Sequence, residues 1–119
     1  MVPNSEEARV ITLAKEPFAI VSVNEAWTRI TGYTQLDVEG KDLSILHGER
    51  TDPEAGVRSG LPTHDFASVC EGISACSVNF NYDVKGREFL NFMCSYPLTN
   101  PNNEVTHMLH VCQELPARG

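Results

Sequence analysis

Two asparagines, Asn81 and Asn91, lie on either side of the short polar segment Asp83-Val84-Lys85-Gly86. A carboxamide offers a donor and an acceptor together, so two of them on adjoining strands can hold the polar edge of a small ring. Upstream lies Gly40-Lys41-Asp42-Leu43-Ser44-Ile45-Leu46-His47-Gly48, which with the asparagine strands looks like the other half of a small-molecule pocket, with Asp42, Leu43 and His47 as its candidates. Met93, His110 and Cys112 complete the set of pocket-lining candidates. No Ser/His/Asp set, metal-spaced His/Cys cluster or phosphate loop accompanies them. The chain is therefore expected to be no enzyme, with no catalytic residue and no metal. His64-Asp65 and His47-Gly48-Glu49 are charged neighbours of the kind any surface loop carries.

The elements that would position these residues follow from period and punctuation. Arg9–Leu13 and Phe18–Val23 are β-branched, apolar runs that read as strands joined by a Lys15-Glu16-Pro17 turn. Asn24 caps a helix carrying Trp27, Ile30 and Tyr33 on one side, and Gly32 ends it. Thr34 caps a further short turn with Leu36 and Val38. Residues 41–48 make one or two more turns with Leu43 and Leu46 inward. Glu49 to His64 reads as a surface loop, and His64–Gly72 as a short helix with Phe66, Val69 and Cys70. Three strands follow: Ser74–Tyr82 and Arg87–Leu98 around the hairpin turn, then Val105–Glu114 after Asn100-Pro101-Asn102-Asn103. Two strands, short helices and three strands predict an α+β domain on an antiparallel sheet. Residues 1–8 form an N-terminal flank, 9–114 the domain and 115–119 a tail.

The 119 residues suit one domain, large enough to bury its own core. No apolar run is long enough for a membrane span, and the first residues show no basic-then-apolar signal pattern. A net charge of −7, without a Lys/Arg cluster, argues against direct nucleic-acid binding. Cys70, Cys76, Cys94 and Cys112 are far apart in sequence and read as free thiols of a reducing compartment, rather than zinc ligands or disulfides. The expected location is intracellular, nuclear or cytoplasmic.

The combination Asn24-Glu25-Ala26-Trp27 with Thr31-Gly32-Tyr33, Asp37-Val38-Glu39-Gly40-Lys41, and Asn81-Tyr82 with Gly86 and Phe89-Leu90-Asn91 resembles the PAS domain family. Within it the chain is most similar to the flavin-binding, light-sensing LOV branch, over about residues 9 to 114. The resemblance implies a PAS fold, a five-stranded antiparallel sheet of order 2-1-5-4-3 with short helices on one face. It also implies that Leu43 stands where LOV domains carry their photoactive cysteine, leaving no nucleophile for an adduct. Ser44 stands where an arginine would clamp the flavin phosphate; Asp42 replaces an asparagine amide with a negative charge, and His47 replaces a glutamine. Asn81 and Asn91 match two polar positions that hold the flavin edge. The third, a glutamine, aligns with Cys112, or with Gln113 if the last strand slips by one residue, which would turn its side chains over. No bound flavin or other cofactor is expected.

Alternation along the strands sorts their residues between two faces. With Asn81 and Asn91 facing the pocket, Ser77, Asn79, Phe89, Met93, Ser95, Met108, His110 and Cys112 share their side. The other face carries Val78, Phe80, Leu90, Phe92, Cys94, Tyr96, Leu98, Leu109 and Val111. Residue pattern alone makes this second, greasier set the core; the family fold makes it the outer face. A wide apolar outer face marks an association site. Val78, Phe80, Leu90, Phe92, Tyr96, Leu98, Leu109 and Val111 are accordingly the candidate interface of a homodimer or heterodimer. The polar inner face, His110 included, is expected to be satisfied by internal hydrogen bonds. The leading expectation is a non-catalytic PAS signalling and dimerisation module within a larger regulatory protein, such as a transcription regulator. The alternative is a small-molecule or flavin sensor using Asn81 and Asn91.

Overall fold

The computed structural model describes residues 7–52 and 66–116. In chain order these form β1 (Ala8–Leu13), β2 (Ile20–Val23), α1 (Glu25–Thr31), α2 (Gln35–Val38), a 3-10 turn (Leu43–Leu46), α3 (Phe66–Cys70), β3 (Ala75–Tyr82), β4 (Glu88–Thr99) and β5 (Val105–Leu115). The strands make one antiparallel sheet of order β2-β1-β5-β4-β3, as the resemblance implies. Most of the Glu49–His64 segment read as a surface loop lies outside the described residues, as does the start of the following helix.

Caps and turns fall where the residue types demand. Asn24 Oδ1 accepts from Trp27 N at 3.0 Å and from Arg9 N at 2.9 Å, so one side chain caps α1 and ties it to β1. Gly32 ends α1 in the left-handed region at φ 79 and donates its N–H to Thr28 O. A Cβ there would also sit 2.5 Å from Val84 Cγ1, so both backbone and packing require glycine. Thr34 and Asp37 form a reciprocal capping box on α2.

Several boundaries shift. Ala8, expected in the flank, opens β1 buried against Cys112, and Leu115, expected in the tail, closes β5. The second strand begins at Ile20 rather than Phe18, which turns at φ 64 and places its ring 5.1 Å from Phe66. Leu36 is 91% exposed, because α2 has a single turn and Val38 alone faces inward.

The helices cover the asparagine side of the sheet. Ala8, Val10, Ile20, Ala26, Trp27, Val38, Leu46 and Cys112 form the main core, and Val69, Ala75 and Met108 a second cluster below α3. The inward set is buried at Asn81, Phe89, Asn91, Ser95, Met108, His110 and Cys112, while most of the opposite set is half-buried and Val78 and Tyr96 are exposed. The greasier side of the sheet is therefore its outer side. Hydrogen bonding within the inner face makes this tolerable: His110 lies between Thr12 Oγ1, 2.9 Å from Nε2, and Ser95 Oγ, 2.7 Å from Nδ1.

Candidate functional site

Between the 3-10 turn and the sheet, the described residues enclose a cavity of about 230 Å³. Asp42, Leu43, Ser44, Leu46 and His47 line it from the turn, and Ser77, Asn79, Asn81, Asn91, Met93 and Cys112 from the sheet. Pro17, Phe18 and Phe66 also line it. Of the eight pocket candidates read from the sequence, seven are brought together here. His110 is not among the lining residues. It sits in the same face, but its bonds to Thr12 and Ser95 and its packing 5.1 Å from Phe66 make it part of the core. Pro17 and Phe18 join the lining beyond the residues expected from the sequence, because the chain turns at Phe18 and enters β2 only at Ile20. The Glu16-Pro17 bend before β2 was the one available signal.

The register Met93↔Cys112 turns Cys112 inward and leaves Gln113 exposed on the other face. β4 and β5 pair without a shift from Leu90 to Leu98, so the slip that would restore the glutamine does not occur. Cys112 is buried near Asn91 and Trp27, and burial pushes its thiol up to about 12. It is held as a neutral thiol at any ordinary pH.

The asparagines spend their donors on the protein. Asn91 Nδ2 donates to Asn81 Oδ1 at 2.9 Å, and Asn81 Nδ2 donates to Phe80 O at 3.0 Å. Asn79 clamps the backbone of Asp52, donating to its carbonyl at 2.7 Å and accepting from its N–H at 2.9 Å. Among the described residues two buried polar atoms have no partner, Asn91 Oδ1 and Trp27 Nε1. At the turn, Asp42 caps the backbone, accepting from Ser44 N at 2.8 Å. Hydrogen bonding from Ser44, by its side chain and then its backbone, holds the Asp42 carboxyl below the usual range, so this wall carries a negative charge at neutral pH.

A flavin nucleotide fits these residues poorly. A volume of about 230 Å³ falls below the roughly 300–1,000 Å³ of ordinary ligand pockets. The described lining has an anion at Asp42 and no Arg or Lys, the wrong charge for a phosphate. Asn91 Oδ1, buried without a partner on a residue that lines the cavity, keeps its acceptor capacity unused.

The outer face has its own arrangement. Leu90, Phe92, Leu98, Leu109 and Val111 are half-buried, beside exposed Val78 and Tyr96. Phe80 differs from the others. The Arg50 guanidinium lies 4.0 Å from its ring centroid and is held there by Glu88 at 3.0 Å. Thr51 also donates to Phe80 O at 2.7 Å. Arg50 and Thr51 thus lie against the free edge of β3 and shield that end of the face.

Residues 9–115 match the profile of a PAS domain. Over 102 residues the chain is 26% identical to "Blue-light-activated histidine kinase 2" of Erythrobacter litoralis, covering 86% of this chain and 28% of that protein. The chain therefore spans under a third of this curated relative. A light-oxygen-voltage domain studied with a flavin analogue superposes with a TM-score of 0.77 at 25% identity, over 97% of this chain and 82% of that one. The LOV domain of a blue-light-activated histidine kinase from Erythrobacter litoralis gives 0.75 at 23% identity, over 93% and 97%. The latter likeness establishes the fold alone.

Proposed function

This chain belongs to the PAS domain family, and from that premise we propose that it is a non-catalytic signalling module that pairs with a second copy through the outer face of its sheet. The carrying observation is the orientation of the sheet: the helices cover its asparagine side, and the apolar side faces away from them. Its place is within a larger regulatory protein, for which a transcription regulator is one setting and the kinase architecture of its relative another. Adduct-forming light detection is disfavoured by two features of the cavity. Leu43 lines it from the 3-10 turn without any sulfur, and Cys112 enters from the sheet as a neutral thiol.

Phe92 and Leu109 test the pairing. Phe92 stands opposite Val78 on β3, and Leu109 opposite Tyr96 on β4, so together they sample the middle of the face. Fully burying such a side chain is worth about 1.5–3 kcal/mol, which is roughly 10- to 100-fold in a dissociation constant. Phe92→Ala and Leu109→Ala should each weaken self-association by that factor in sedimentation velocity. Phe80→Ala should do less, because Arg50 already covers that ring. A wild-type protein that sediments as a monomer at high micromolar concentration, or variants that dimerise like it, would reject the reading.

A second reading rests on Asn91 Oδ1, buried without a partner beside the cavity. It favours a small ligand bearing a hydrogen-bond donor. A colourless, ligand-free preparation that shows no chemical-shift change at Asn91 across a library of small neutral amides and phenols would set it aside.

A further inference from the structure

We propose that Cys76 and Cys94 form a redox-active dithiol that closes into an intramolecular disulfide on the outer face of the sheet, with low-molecular-weight disulfides such as oxidised glutathione as its reaction partner. The hairpin places them. Pairing from Ala75↔Ser95 to Tyr82↔Glu88 is unbroken, and Cys76↔Cys94 is one of its rungs. Their sulfurs lie 2.7 Å apart. Asp83 N–H donates to Arg87 O, which fixes that pair as hydrogen-bonded. Cys76 and Cys94 stand an odd number of rungs along and so occupy a non-hydrogen-bonded position. Opposed Cα atoms there are about 4.5 Å apart, inside the roughly 4.4–6.8 Å that a disulfide spans. Closing the bond to about 2.0 Å needs only sub-ångström movement of each sulfur and no change of register.

The surroundings divide the labour between the two thiols. β3 is the edge strand, so a reagent reaches Cys76 from the side of the sheet, and both residues are half-buried rather than sealed. Cys94 lies one strand further in, opposite Val111. Burial first, and then its hydrogen bond and charge coupling with Cys76, push its thiol up to about 11. Its place on the edge strand makes Cys76 the entry point. Its thiolate attacks one sulfur of the reagent, forming a Cys76 mixed disulfide and expelling one thiolate. Cys94 then gives its proton to solvent and attacks the Cys76 sulfur, expelling the second thiolate. In the balance, two protein thiols and one reagent disulfide become one protein disulfide and two reagent thiols, two electrons passing to the reagent. Cys70, which donates to Ala14 O at 3.3 Å, and buried Cys112 lie on other parts of the fold.

The full chain, equilibrated in glutathione buffers from fully reducing to fully oxidising, acid-quenched and alkylated with N-ethylmaleimide, tests this. The expected result is loss of two of the four alkylation sites in one step, a single Cys76–Cys94 linked peptide on digestion, and complete recovery of four sites after reductant. Cys70→Ser/Cys112→Ser should titrate at the same ratio, and Cys94→Ser should accumulate a glutathione adduct on Cys76. Retention of four sites across the range, a linkage through Cys70 or Cys112, or a bond only between two chains would overturn the proposal.

Discussion

His110 couples the stability of this domain to pH in a way that can be calculated. The ring is fully buried, bridging Thr12 on β1 and Ser95 on β4 from its place on β5. Both partners are hydroxyls, which accept as readily as they donate, so the hydrogen bonds do not resist protonation. Burial does, and it lowers the ring from 6.5 to about 4. Unfolded, the same ring takes up its proton near 6.5. Between these values the unfolded chain binds one more proton than the native one, so acid favours unfolding. The stabilisation is complete above pH 6.5 and is lost as pH falls to about 4, at up to about 1.4 kcal/mol per pH unit, or about 3 kcal/mol in all. That is a large share of the roughly 5–15 kcal/mol of an ordinary domain. Urea unfolding followed by Trp27 fluorescence from pH 8 to pH 4 measures it, with His110→Gln as reference. The glutamine can keep one hydroxyl partner but cannot titrate. Asp37 and Asp42 are held low chiefly by hydrogen bonds; at Asp83 desolvation is the largest single effect, but the hydrogen bonds and Arg87 together outweigh it. Their contributions begin to fade from about pH 5 downward in both proteins and cancel in the difference between wild type and His110→Gln. Parallel curves for wild type and His110→Gln between pH 6.5 and 4, or a ring that titrates near 6.5 by NMR, would refute the reasoning.

Two further expectations concern the joints of the fold. Asn24→Ala removes a helix cap and a tie to β1 at once, leaving Trp27 N and Arg9 N without their side-chain acceptor. It should lower stability by about 2 kcal/mol in urea unfolding; a loss within experimental error would show that water replaces the amide freely. Gly32→Ala meets both a positive φ and Val84. It should cost more than the roughly 1 kcal/mol of backbone strain alone, and Gly32→Ala combined with Val84→Ala should recover the excess.

Much of the sheet was legible because its signals are local. The hairpin around Asp83–Gly86 needs only its turn residues and flanking alternation, and the observed pairing follows. The caps at Asn24 and Thr34 are likewise short-range chemistry. The element ends at Ala8, Ile20 and Leu115 were not legible, since pairing with neighbouring strands sets them. Nor was the meeting of Cys76 with Cys94 noticed in the sequence, although the hairpin register implies it. The two cysteines are 18 residues apart along the chain, and a hairpin brings such positions face to face.

Which strand residues share a side can be read from the sequence alone, because alternation is a property of a single extended chain. The sequence left open which side the helices cover, and composition pointed the wrong way. That choice was made by contacts between distant segments: Trp27 and Leu46 packing near Cys112, His110 bonded between Thr12 and Ser95, and Asn91 bonded to Asn81. A polar face can serve as a core when its groups satisfy one another, and only the assembled sheet brings them within reach.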